Sequence, residues 1–260
     1  MSAAGFTALA CDYDGTLATH GVVDAPTIEA LERCAASGYK LLLVTGRELD
    51  DIWRILPQWK LFDHIVAENG ALLYRPASGE ELPLAARPSD AFIHMLQTRE
   101  VVPLSVGRVI VATFESHEHT VLSTIHDLGL ELQVIFNKGS VMVLPTGVNK
   151  ATGLAVALEE LRISPRQTIG VGDAENDHAF LNACGLGVAV ANALPALRES
   201  ADLVTAGTHG AGVCELIDYL LRGELPKGAL AAAERRWAES VAIRPAVSAP
   251  RAPQAIVPPA

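Results

Sequence analysis

Two aspartates two residues apart, Asp12 and Asp14, stand in the run Asp12-Tyr13-Asp14-Gly15-Thr16, directly after an apolar stretch at 6–11. In extended backbone, side chains at i and i+2 lie on the same side. One carboxylate can therefore attack an electrophile while the other moves protons. Gly15 lets the chain turn sharply away. The competing readings are an acidic turn and a calcium loop. An EF-hand loop requires glycine at its sixth position and glutamate at its twelfth, and Val23 occupies the twelfth here, so calcium is rejected.

Three further groups carry chemistry. Thr45-Gly46-Arg47 follows the apolar run at 41–44. A hydroxyl and free backbone N–H groups at that place make either a phosphate cradle or an ordinary helix cap. Lys150 opens a helical pattern in Val148-Asn149-Lys150-Ala151; a lone lysine is normally a solvated charge. Gly172-Asp173-Ala174-Glu175-Asn176-Asp177 follows the run at 168–171. Gly170 and Gly172 imitate the opening of a dinucleotide fingerprint, but the third glycine would fall at Glu175 and the pattern fails. An acidic strand end suited to a hard cation remains, and Asp12, Asp14, Asp173 and Asp177 together form a set that can hold magnesium.

The elements that must position these groups alternate in βα order. Strand patterns at 6–11, 39–44 and 64–67 alternate with helical patterns at 25–37 and 48–56, which predicts a parallel sheet with helices on both faces. The Asn69-Gly70 turn leads into a hairpin arm at 72–74. Between about 80 and 147 the order changes to helix (90–100), strand (108–114), helix (119–128) and two strands (132–136, 141–144) joined around Lys138-Gly139. This segment predicts a small α+β insert. The βα alternation resumes at 150–161 and closes with a helix at 212–221. All four chemistry-bearing groups thus fall at strand ends or helix starts of one α/β sheet, where ligands bind in such folds.

Composition narrows the partners. The 260 residues are 50% hydrophobic and carry a net charge of -10, from 30 acidic against 20 basic side chains, without a dense Lys/Arg cluster. Nucleic acid is therefore not an expected partner. Cys11, Cys34, Cys184 and Cys214 lack CxxC spacing and suit a reducing cytoplasm. The start of the chain lacks the basic and apolar regions of a signal peptide, and no apolar run reaches membrane-span length, so a cytoplasmic protein without a membrane partner is expected. Beyond Gly223 the sequence becomes rich in Ala and Pro, which reads as a linker or tail at 224–260, with a further domain possible beyond it. A helix at 229–242 carrying Trp237 is the alternative there.

The ordered set Asp12-Tyr13-Asp14-Gly15-Thr16, Thr45-Gly46-Arg47, Lys150 and Gly172-Asp173-Ala174-Glu175-Asn176-Asp177 resembles the four motifs of the haloacid dehalogenase superfamily. Glu68-Asn69-Gly70-Ala71 and the insert resemble its Cof-like phosphatases with a type IIB cap. The resemblance implies a Rossmann-like core at 1–79 plus 148–223 with an inserted cap at 80–147 that governs substrate choice. It implies that Asp12 attacks phosphorus while Asp14 protonates the leaving alcohol and then activates water. It implies a magnesium ion held by Asp12, the Asp14 carbonyl and Asp173, with Asp177 in or near that shell. Lys150 would neutralise charge, and Thr45, Gly46, the Tyr13 backbone and Asn176 would bind the phosphate. Arg47, His117, His119 and Lys138 are candidate substrate contacts that match no family motif, and His117 and His119, two apart and divergent on a helix, are expected at the surface. The implied substrate is a small phosphorylated metabolite, a sugar or polyol phosphate. A phosphohexomutase-like transferase and a non-catalytic module of a larger protein are the alternatives.

Overall fold

The computed structural model describes residues 5–243. Strand β1 (Ala8–Cys11) is buried on both faces and lies at the centre of an eight-stranded sheet. On one side follow β2 (Lys40–Val44), β3 (His64–Ala67), β4 (Leu72–Arg75) and β5 (Glu80–Pro83); on the other lie β10 (Thr168–Gly172), β11 (Leu186–Ala189) and β12 (Leu203–Val204). The six strands from β12 to β3 run parallel, and β4 and β5 are antiparallel additions. Their near-continuous apolar character follows from helices covering both faces. The chain leaves β1 toward β2 and later returns on the opposite side as β10, so the sheet reverses its order at β1 and opens a crevice at the strands' carboxyl ends.

Helices α1 (Ala25–Ala36) and α2 (Leu49–Ile55) flank the first half of this sheet. Asp24 caps α1 by accepting from the Thr27 N–H at 3.0 Å, with Pro26 at the start where its missing N–H costs nothing. Helix α5 (Lys150–Leu161) begins with a capping box between Asn149 and Thr152. Helices α6 (His178–Ala183), α7 (Pro195–Ser200) and α8 (His209–Arg222) complete the second half.

The insert carries α3 (Asp90–Thr98), α4 (Glu118–Asp127) and a four-stranded antiparallel sheet. Its strands are β6 (Ser105–Val106), β7 (Val111–Phe114), β8 (Leu132–Asn137) and β9 (Ser140–Pro145), in the order β6-β7-β9-β8. Phe92, Leu96, Val111, Val121, Val141 and Val143 give it a core of its own. A smaller cluster containing Val109, Ile110, Met142 and Leu144 reaches Ala71 beside the main sheet. The fold is α/β with an inserted α+β cap.

One expectation needs correction. Glu80–Pro83, expected in the insert, pairs instead with β4 in the main sheet, because its alternating, half-exposed residues suit an edge strand. Of the two readings of the segment from 224 onward, linker and helix with Trp237, the described part bears out the helix: Lys227–Ile243 forms α9. Ala229 and Ala233 are buried in the main core, the Arg236 guanidinium binds Asp202 at 2.6 Å, and Trp237 Nε1 donates to the Cys184 carbonyl at 3.1 Å. The alanine-rich composition marked a helix with a small-residue face. The proline-rich stretch at 244–260 lies outside the described residues.

Candidate active site

Asp12 follows β1 directly, and its N–H donates to the Val171 carbonyl of β10 at 2.9 Å, which fixes it at the crevice. The next residues form one tight turn, with the Leu17 and Ala18 N–H groups donating to the Tyr13 carbonyl at 3.0 and 2.8 Å. Gly15 sits there at φ +87°, and a Cβ on it would lie 2.3 Å from Asp173 Oδ2. Only glycine allows both the turn and the approach of Asp173. The Gly15 carbonyl accepts from Asn192 Nδ2 at 2.8 Å, and Asn192 Oδ1 accepts the N–H that opens α8 at 2.7 Å.

Lys150 is brought in by a second close approach. A Cβ on Gly70, at φ +101°, would lie 1.9 Å from the Asn149 carbonyl, so the missing side chain lets the start of α5 rest on the turn after β3. The Lys150 ammonium is buried and donates to Asp12 Oδ1 at 2.5 Å and to Asp177 Oδ1 at 2.6 Å. Asp177 Oδ2 accepts from the Asp173 and Ala174 N–H groups at 2.9 and 3.0 Å. Asp177 thereby shapes the loop that presents Asp173, and its oxygens are already engaged.

Burial pushes the Asp12 carboxyl up to about 7, with Lys150 pulling the other way and Asp177 adding to the rise. Burial also opposes the Lys150 charge, but Asp12 and Asp177 outweigh it and hold the ammonium above its ordinary value. At this contact distance the pair is ionic: two carboxylates flank one ammonium, and separating the charges would strand one of them in the core. Burial raises Asp173 as well, against the pull of Lys138.

Carboxylate oxygens of Asp12, Asp173 and Asp177 lie within 4.8 Å of one another. Three carboxylates facing Lys150 leave two negative charges uncompensated, the deficit a divalent cation fills. A cation does stand at this place: the Lys138 ammonium, reaching down from the β8–β9 turn, lies 2.5 Å from the Asp14 carbonyl oxygen and 2.9 and 3.2 Å from the two oxygens of Asp173. The hard-oxygen donor set thus fits a divalent metal ion.

The remaining sequence candidates divide. Thr45 is buried after β2, and its hydroxyl accepts from the Arg47 N–H at 3.1 Å. Gly46 lines the crevice beneath Met142 of the cap. Asn176 lines it too, with Nδ2 donating to Asn69 at 2.9 Å and Oδ1 buried without a partner. Tyr13 is buried with its hydroxyl on the Gly21 carbonyl, so its side chain is taken up in the fold rather than in the cavity. Asp14 is clamped by Arg47, whose Nε and Nη2 meet its two oxygens at 2.6 and 2.7 Å. His117 Nε2 donates to the Val102 carbonyl on the cap surface, and neither it nor His119 reaches the cavity.

That cavity measures about 520 Å³, with Asp12, Asp14 and Arg47 on its floor and Ser105, Phe114, Asn137 and Lys138 on its roof. Two structural contributors had no sequence signal strong enough to single them out. Asn192 stands beyond the end of β11, where a polar residue in the crevice was the available clue. Glu68, quoted in the sequence only as part of a motif, is fully buried and accepts the Arg108, Val109 and Ile110 N–H groups at 2.7–2.8 Å, which ties the cap to the core.

Residues 9–101 and 105–217 match the family model of haloacid dehalogenase-like hydrolases. Among its relatives, the chain is 33% identical over 227 residues to a protein named phosphoglycolate phosphatase 2 of Saccharolobus solfataricus, covering 84% of this chain and 94% of that one. It is 32% identical over 216 residues to the phosphoglycolate phosphatase of Methanothermobacter thermautotrophicus, covering 81% and 96%. Its fold matches a haloacid dehalogenase-like hydrolase from Bacteroides thetaiotaomicron with a TM-score of 0.72 at 20% identity, covering 82% and 98%. It also matches a subclass IIB sugar phosphatase with a TM-score of 0.66 at 22% identity, covering 82% and 98%.

Proposed function

This chain belongs to the haloacid dehalogenase-like hydrolases, with a Cof-like, type IIB cap, and is a phosphoric monoester hydrolase; from that premise we propose that it hydrolyses a small phosphorylated metabolite with Asp12 as nucleophile, Asp14 as acid and base, and Mg2+ as cofactor. The observation that carries this reading is the convergence of Asp12, Lys150, Asp173 and Asp177 at one crevice, from elements up to 165 residues apart by their numbers.

The proposed sequence begins with an Asp12 carboxylate oxygen forming a bond to phosphorus as the ester P–O bond breaks. The electron pair passes to the leaving oxygen, which takes a proton from Asp14. In the second half Asp14 removes a proton from water, the water oxygen bonds to phosphorus, and the Asp12–phosphorus bond breaks to restore the carboxylate. Asp14 must leave the Arg47 clamp to do this, which frees the guanidinium for an anionic substrate. Lys150 holds the attacking carboxylate in place, while Thr45, the Gly46 and Tyr13 backbones and Asn176 receive the phosphoryl oxygens. A divalent ion at Asp12, the Asp14 carbonyl and Asp173, beside Asp177, would neutralise charge on the phosphoryl group.

We assign selection to the insert and chemistry to the core. Relatives named for phosphoglycolate, together with Arg47 and Lys138 as the cations lining the cavity, support a leaving alcohol that bears a carboxylate, rather than the uncharged sugar or polyol suggested by the sequence. The test is release of inorganic phosphate from 2-phosphoglycolate and from sugar and polyol phosphates, with Mg2+. Asp12→Asn should keep the circular dichroism of the wild type and lose about 10⁴-fold or more in kcat. No release from any ester, interconversion of hexose phosphates without release, or turnover retained in Asp12→Asn would overturn the reading.

A further inference from the structure

The β8–β9 hairpin closes on a two-residue turn, since Asn137 pairs with Ser140 and only Lys138 and Gly139 lie between them. Both turn residues have positive φ, 48° and 82°, the conformation of the hairpin turn that matches strand twist. Glycine and asparagine adopt that conformation readily; a lysine at its first position is unusual. Such backbone is retained where surrounding contacts hold it, and the contacts here are those of the ammonium. Lys138 is also the one charged side chain the cap sends into the cavity. Its tip meets the Asp14 carbonyl oxygen and both oxygens of Asp173, which is 7% exposed.

We propose that Lys138 is a built-in competitor of the divalent ion: in the metal-free chain its ammonium neutralises Asp173 and pins the cap's hairpin to the core, and metal binding expels it into the cavity. This inference rests on the proposed metal site and concerns what occupies that site beforehand. The exchange is sterically required. Asp14 and Asp173 oxygens that receive an ammonium at 2.5–3.2 Å leave no room for a second cation between them. Like charges also repel at this distance, beside a buried Asp173 even though the Lys138 side chain is 45% exposed. Once expelled, the flexible side chain stands over the crevice floor, where it meets an incoming anion. Lysine suits this exchange better than arginine, being a compact charge on a flexible stem that engages and lets go without a fixed fork geometry.

Two measurements on the full chain test the exchange. In calorimetric titration with Mg2+ or Mn2+ alone, Lys138→Met should bind metal about tenfold more tightly than wild type, because the charged hydrogen bonds no longer have to be broken. In wild type, acetylation by a soluble amine reagent, read by peptide mass spectrometry, should find Lys138 slow without metal and faster with it, while Lys40, Lys60 and Lys227 serve as internal standards. The labelling needs no variant and stands if Lys138→Met fails to fold. Equal metal affinity in the two proteins, or Lys138 labelling indifferent to metal, would overturn the proposal. Metal binding by neither protein would instead remove the metal site itself, and the exchange with it.

Discussion

At the residue scale the site is an exercise in charge placed where water cannot screen it. Lys150 is solvated in most sequence contexts, yet here it is 1% exposed and shared by Asp12 and Asp177. Its partners were legible in the sequence because Asp12 directly follows a strand pattern and Asp177 closes the acidic segment that follows another. What Asp177 does with its oxygens was not, since that depends on which oxygen meets which donor. Asp177 spends its oxygens on Lys150 and two backbone N–H groups and acts on the geometry of Asp173. Gly15 offers the sharpest residue-level test. Gly15→Ala forces a Cβ into Asp173 at a φ that L-residues avoid, so kcat/KM should fall about 10²-fold through misplacement of the acidic loop. The melting temperature should fall only by a few degrees, in keeping with a cost of about 1 kcal/mol. Turnover within threefold of wild type would mean the loop moves freely and its geometry is not what the reaction uses.

At the scale of elements, the strands and helices of the core were readable from apolar periodicity because both faces of a parallel sheet are buried. Strand β5 lacks that signal because it is an edge strand with half-exposed residues, and the tail reads equally as linker or helix because proline and alanine enrichment resembles a linker until Arg236 and Trp237 find their partners on the core. The contact of Lys138 spans 124 residues from Asp14 and exists only with the cap over the core, so no local spacing announces it. Element packing also has a pH signature. Glu160 on α5 accepts from Arg75 on β4 at 2.9 Å and meets His64 on β3 at the same distance. The Arg75 hydrogen bonds, with His64 assisting, outweigh the opposing effect of burial and hold its carboxyl down at about 2. A depressed carboxyl stabilises the fold above its unfolded value and loses that contribution as pH falls toward the folded one. Glu160→Gln should therefore lower the melting temperature by about 2 °C near neutral pH, the small effect of a largely exposed pair. The gap between variant and wild type should narrow as pH drops from about 4.5 toward 2. A gap that widens on acidification would assign the stabilisation elsewhere.

At the scale of the whole molecule, a core that carries the candidate site is roofed by a cap with its own apolar centre, and the two meet at Glu68, at Arg108 with Asp50, and at Lys138. No helix among the described residues is long and apolar enough to cross a membrane. Buried Cys34 and Cys184, whose thiols burial pushes up to about 12, are packing residues with little thiolate to offer. The overall net charge of -10 would repel an anionic substrate at long range, and the reading requires local cations to reverse that field inside the cavity. All of it depends on a covalent bond between the chain and phosphorus. The most direct measurement is to mix the full-length protein with 2-phosphoglycolate and Mg2+, quench in acid during turnover, reduce with borohydride, and sequence the peptides by mass spectrometry. Reduction of an aspartyl phosphate at position 12 to homoserine, and at no other aspartate, is the expected result. Steady release of phosphate with Asp12 recovered unmodified would contradict the account at its centre.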